Sequence, residues 1–174
     1  RYCLLREINL GQDGNFSRDA LIQRINADLA NDLGNLLHRT LNMIGKFQQG
    51  TVLEAKGGND VDASLKADAM QAVRSFAEGM ENMQLSATIK NVWAFIGRTN
   101  KYIDETAPWA LAKDPEKKQE LSNTMYNLVE SLRIISVMIS PFMPTTAERI
   151  WKQLNLPQSF AEAKLEDIRS WGGT

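Results

Sequence analysis

This sequence predicts an all-α domain, a helical bundle of about five helices, and three observations carry that prediction. Apolar residues recur at the i, i+3, i+4, i+7 spacing of one helical face through most of the chain. No segment alternates apolar and polar residues in the manner of a strand for more than a few positions. The periodic stretches are joined by loops of a handful of residues up to about ten, the connection lengths of bundles.

The chain starts at Arg1, and residues 1–10 read as the end of a helix already under way, so this is expected to be a piece of something longer. Residues 11–15, with Gly11 and Gly14, mark a turn. Tyr2, Leu4, Leu5 and Ile8 form an apolar set expected to fold back on the next helix between Leu21 and Leu33. That helix is predicted to be long and single, with Ser17 as N-cap, Asp19 in the first turn and Gly50 as the stop. Its apolar face carries Leu21, Ile22, Ile25, Leu29, Leu33, Leu36, Leu37, Leu41, Ile44 and Phe47. A loop with Gly57 and Gly58 follows.

The second helix is predicted from about Asp62, apolar at Leu65, Met70, Val73, Phe76 and Met80. A third runs from about Ser86 through Ile89, Val92, Trp93, Ile96 and Ile103, and ends before Pro108, which disfavours helix at the residue preceding it. Asp114 as N-cap and Pro115 at the first helical position start the fourth, with Leu121, Met125, Leu128, Leu132, Ile135 and Ile139. Pro141 and Pro144 interrupt it. The fifth starts near Thr145 or Thr146 and includes Ile150, Trp151 and Leu154. All seven methionines, Met83 among them, fit core positions or their borders.

Composition excludes whole classes of function. Across 174 residues, 43% are hydrophobic and 24% charged, an ordinary globular profile and not a disordered or fibrous one. A single cysteine, Cys3, and a single histidine, His38, cannot supply a zinc cage, a Cys-x-x-Cys redox pair or a disulfide framework. Lys and Arg number 20 against 21 Asp and Glu, so no global basic field exists; nucleic-acid contact has to be local, and no DNA partner is expected. The longest uncharged stretch, residues 134–147, falls short of the roughly 20 apolar residues a membrane-spanning helix needs.

No motif assembles a nucleophile, a base and an orienting group. His38 reads as a surface or boundary histidine. Asn35 and Arg39, at i and i+4, place an amide and a guanidinium on one helix face, where they can offer donors and an acceptor to the edge of an unpaired base. The same spacing also suits a structural role, such as an arginine paired with a carboxylate. In residues 100–113, Pro108 fixes the backbone leading into Trp109, so the indole can be a rigid stacking platform for a base, or equally a hydrophobic plug packed on the bundle.

The stretches RYCLLREI at 1–8, GQDGNFS at 11–17, NADLANDLGNLLHR at 26–39 and NKYIDETAPWALAK at 100–113 occur in an order and spacing that resemble the methionyl-tRNA synthetases. The resemblance extends from Arg1 to about Trp151; from Leu156 onward the chain is less distinctive. It implies a C-terminal anticodon-binding region, with residues 1–16 the tail of the stem-contact region and 17–174 the helical anticodon-binding domain. By the same resemblance, Asn35 and Arg39 read the first anticodon base, a cytosine, Trp109 stacks on it, and Asn100, Asp104 and Pro108 shape the pocket.

The implied partners are a tRNA with a CAU anticodon and the catalytic domain of the same protein, in the cytoplasm. The family's catalytic domain activates methionine with ATP and Mg through His-Ile-Gly-His-like and Lys-Met-Ser-Lys-Ser-like motifs. Neither motif occurs here, so the 174 residues alone are expected to hold no cofactor and to be catalytically inactive. Two rival readings are the helical domain of another class I synthetase and a helical protein interaction module without RNA binding.

Overall fold

In the computed structural model, which describes residues 1–8, 11, 13–14 and 17–174, helices account for all the regular structure of the described residues. The turn expected at 11–15 and the domain boundary at 16–17 fall partly on residues outside that set. The helices are α1 (Tyr2–Glu7), α2 (Arg18–Arg24), α3 (Asn35–Gln48), α4 (Asp60–Glu81), α5 (Leu85–Thr106), α6 (Pro108–Leu111), α7 (Lys118–Ile139) and α8 (Pro144–Gln153). The five helices read from the sequence correspond to the 18–48 run, α4, α5, α7 and α8.

The 18–48 run departs from that reading. Ser17 does cap it, its side chain accepting from the Ala20 N–H, and the run is helical throughout. Between α2 and α3, however, Ile25–Gly34 forms a π-helix, whose backbone bonds span five residues where an α-helix spans four. The wider turn rotates one half of the run against the other, so the apolar stripe is not continuous. Leu33 and Leu36 are buried, whereas Ile22 and Ile25 are exposed. The run ends with Gln49 and Gly50 both at positive φ.

Asn59 and Asp62 form a reciprocal capping box, so α4 starts two residues earlier than its apolar pattern indicates. α4 and α5 pack along each other, and Gly79 makes the approach feasible: a Cβ there would sit 2.1 Å from Thr88 Oγ1. The turn joining them holds Met83 at positive φ and 61% exposed, a correction to its expected place in the core. Met125 and Met138, by contrast, are fully buried.

α7 is the centre of the bundle and touches α3, α4, α5, α6 and α8. Surrounded on every side, it buries polar residues as well as apolar ones, and each polar group then needs a partner. The Tyr102 hydroxyl donates to Asp62 at 2.5 Å and accepts from Asn127 Nδ2 at 3.0 Å. Asn123 holds the backbone N–H and C=O of Lys56, pinning the loop before α4. Arg133 makes two bonds to the Glu130 carboxylate, at 2.7 and 2.9 Å. The same carboxylate accepts from the backbone N–H groups of Gly172 and Gly173 and from the Thr174 hydroxyl, which fastens the last residues onto α7. Burial alone would push Glu130 up, but Arg133, Thr174 and the Gly172 N–H outweigh it and hold the carboxyl below its ordinary value.

α1 folds back on the bundle, but it packs chiefly on α5 and not, as expected, by its apolar set on the helix between Leu21 and Leu33; Leu4 is exposed, and the contacts that tie α1 to that run are polar. The Tyr2 hydroxyl donates to Asp28 at 2.5 Å, Arg6 lies 2.9 Å from the same carboxylate, and Arg24 bonds Glu7 at 2.6 Å. The Tyr2 ring also lies 4.5 Å from Trp93 of α5, so α1 is held by α5 as well as by the 18–48 run.

Candidate nucleic-acid interface

Asn35 and Arg39 occupy the first turns of α3, immediately after the π segment, and the Asn35 N–H still makes its five-residue bond to the Ala30 carbonyl. Asn35 is exposed. Arg39 reaches across to α5, where its Nη2 lies 2.8 Å from Asp104 Oδ1, the side chains being 28% and 65% exposed. An ion pair so open to water contributes about 0–1 kcal/mol to stability, so the guanidinium can be drawn elsewhere at little cost.

Asn100 sits one turn before Asp104 on α5. Its Nδ2 donates to the Asp32 carbonyl at 3.1 Å, tying α5 to the residues just ahead of Asn35. Past Asp104, α5 ends at Thr106, and Ala107 adopts φ 42, ψ 63, a left-handed conformation that costs a residue with a Cβ about 1 kcal/mol or more. Pro108 then opens α6 at its first position, buried, while Trp109 next to it is 46% exposed. The sequence places Trp109 at a turn; it lies instead on this short helix, packed beside α7.

Arg39 and Asp104 are therefore in contact, Asn100 is bonded to the segment that delivers Asn35, and Pro108 and Trp109 follow at the end of α5. Trp109 stands free of these partners: among the described residues its ring belongs to no aromatic or cation–π pair. An exposed indole on a backbone pinned by Ala107 and Pro108 can stack on a planar ring, and an amide and a guanidinium one turn apart on α3 can address the polar edge of a base. His38, by contrast, shares a 2.8 Å hydrogen bond with Asn42 on the exposed face of α3. Among the described residues, no three His, Cys, Asp or Glu side chains come together as a metal site, and no helix is long and apolar enough to cross a membrane.

The hydrophobic pattern does not reveal the π segment or its partners. Trp93 reads in the sequence only as a core residue, yet its Nε1 donates to the Asp28 carbonyl at 3.2 Å. Nothing in the apolar pattern singles out Asp28 or Asp32. Asp28 is buried, and Asp32 is pushed above its ordinary value by burial and by the charge of Asp28. Gly34, inside an otherwise helical stretch, is the one local signal of unusual backbone.

Residues 62–171 match the family model for the anticodon-binding domain of tRNA ligases, and residues 1–41 match the model for class I tRNA synthetases (M). The chain belongs to the anticodon-binding domain family of tRNA ligases. Its similarity is to the methionine enzymes: it is 46% identical over 172 residues to the methionine–tRNA ligase of Bacillus subtilis, covering 98% of this chain and 25% of that protein. With the methionine–tRNA ligase of Clostridium tetani it is 48% identical over 174 residues, covering 100% of this chain and 26% of the relative. The chain thus spans about a quarter of the length of these relatives. The crystal structure of apo Mycobacterium tuberculosis methionyl-tRNA synthetase superposes with a TM-score of 0.89 at 32% identity, over 99% of this chain and 36% of that one. A second structure of that enzyme is bound by methionyl-adenylate.

Proposed function

We propose that this chain reads the anticodon of the methionine tRNA, taking the first base of CAU, a cytosine, between Trp109 and the Asn35–Arg39 face. The observation that carries the proposal is Trp109: a large indole left open to solvent on backbone held by the strained Ala107 and the buried Pro108. Such a position costs the fold free energy in backbone strain and leaves nearly half of a large apolar side chain in water, as suits a residue kept for binding.

In this reading the base stacks on the indole. Asn35 supplies an amide donor and acceptor, and Arg39 supplies the guanidinium nitrogens that Asp104 leaves unused. A base with the wrong polar edge leaves buried donors or acceptors unpaired, at about 1–3 kcal/mol. Asn100 and Asp104 orient Asn35 and Arg39, and Pro108 fixes the approach to Trp109.

In the whole protein, which we take to be a cytoplasmic methionine–tRNA ligase, the segment before this chain carries the catalytic domain. That domain joins methionine to the tRNA using ATP and Mg, and residues 1–16 belong to the stem-contact region linking it to the domain formed by 17–174. The chain itself supplies recognition, so it is expected to show no methionine-dependent exchange of pyrophosphate into ATP. The deciding experiment is titration of the chain with a CAU anticodon stem-loop beside a UAU one. Preferential binding of CAU that is weakened by Trp109→Ala supports the reading, and equal binding of both loops sinks it.

A further inference from the structure

We infer that Trp93 and Gly34 join Asn100 as positioning residues that set the base preference of Asn35 and Arg39 by holding residues 25–34 in the wide π turn. This rests on the site proposed above. An α-helix advances about 100° per residue, so fitting an extra residue into a turn re-aims everything that follows by an angle of that order. Glu7 of α1 bonds Arg24 just before the segment, and Tyr2 and Arg6 hold the Asp28 side chain within it. The π turn then decides which way Asn35 and Arg39 face, and so whether Arg39 meets Asp104 on α5.

Wide turns are rare because α geometry competes with them, and they persist where surrounding groups hold them. Two such holders come from one face of α5. Trp93 Nε1 donates to the Asp28 carbonyl at 3.2 Å, and Asn100 Nδ2 donates to the Asp32 carbonyl at 3.1 Å. Trp93 and Asn100 are seven residues apart, two turns of α5, and the two carbonyls they hold are four apart in the π segment. Gly34 is the third device. A Cβ there would lie 2.9 Å from the carbonyl oxygen of Leu29, the residue five back, so a side chain at 34 collides with the ladder that defines the wide turn. Two backbone clips and a glycine at the collision point act on the same ten residues, directly before the residues that face the base.

The test uses the 174-residue chain and the ratio of its affinities for CAU and UAU anticodon stem-loops, with melting temperature recorded for every variant. Trp93→Phe keeps an aromatic ring against Tyr2 and loses the N–H donor together with the volume of the fused ring, which the melting temperature reports; Gly34→Ala adds the colliding methyl while raising helix propensity. Each is expected to lower the ratio by about fivefold, the effect of one ordinary hydrogen bond. In an Asn35→Ala, Arg39→Ala background, Trp93→Phe is expected to change the ratio no further, because the groups it positions are gone. A folded Trp93→Phe chain that loses affinity for both loops equally, or that lowers the ratio as much without Asn35 and Arg39 as with them, overturns the inference. If Gly34→Ala fails to fold, Trp93→Phe decides alone. Trp109→Ala serves as the reference: if it leaves CAU binding intact, the site itself is misread, whereas if it weakens binding while Trp93→Phe leaves the ratio unchanged, only the positioning role falls.

Discussion

Two arginine–carboxylate pairs in this bundle have almost the same shortest separation and opposite surroundings. Arg133 and Glu130 meet at 2.7 Å inside α7, both essentially inaccessible to water, with the C-terminal residues closing over the carboxylate. Arg39 and Asp104 meet at 2.8 Å at the open end of α3 and α5. The buried pair has every bond committed, so removing either member strands a charge in the core. The open pair is solvated before and after it breaks. Distance alone therefore says nothing of role; accessibility separates a pair that holds the fold from one that is free to trade partners.

The largest effect should follow from breaking the closed pair. Glu130→Ala is expected to destabilise the chain by about 3–5 kcal/mol in urea unfolding, because Arg133 is left buried and unpaired. The pair also predicts a pH dependence. Glu130 is held below its ordinary value in the folded chain, so its contribution is complete above the unfolded carboxylate value and is lost as pH falls through the lower, folded one. Stability should decline on the acid side, and Glu130→Gln should flatten that decline; an unchanged acid slope in the variant would place the titration elsewhere.

Tyr102→Phe comes next. It removes the hydroxyl shared by Asp62 and Asn127 and is expected to cost about 1–3 kcal/mol of stability without altering RNA preference. Trp109→Ala should show the reverse profile: a melting temperature close to the parent and a loss of about 1–3 kcal/mol in binding the CAU loop, with Trp109→Phe losing less. Unfolding of Trp109→Ala would make the indole a core plug and erase the contrast between the two regions. Removing residues 1–10 should lower the melting temperature, and should lower the CAU preference less than Trp93→Phe does, since the α5 donors to the Asp28 and Asp32 carbonyls remain. The smallest effect on the fold is expected of Asp104→Ala, within about 1 kcal/mol in thermal unfolding.

What the sequence discloses follows the same division. Long amphipathic stretches with their caps and prolines announce α4, α5, α7 and α8 to within a few residues, because burial of one face and the chemistry of helix ends are local properties. Ser17 caps its helix as its residue type dictates; Asp114 caps a 3-10 turn, Pro115–Lys117, just ahead of α7, and Pro144, read as an interruption, is the first residue of α8. The π segment is not local. It depends on donors from α5, 65 and 68 residues further along, and a periodicity count over 18–48 passes across it. Met83 misleads for a related reason: its position continues the pattern of α4, but the turn into α5 takes it out of the bundle. At the candidate site, spacing places Asn35 and Arg39 on one face, and the resemblance singles out Trp109. Whether the indole is open or packed depends on Ala107, whose left-handed backbone nothing in its residue type foretells.

The most direct test of the contrast is a paired measurement on Arg39→Ala: its melting temperature, and its affinities for the CAU and UAU stem-loops. An open, exchangeable pair predicts stability within about 1 kcal/mol of the parent together with a sharply reduced preference for cytosine at the first anticodon position. A chain that unfolds, or one that loses affinity for both loops to the same extent, would contradict the account.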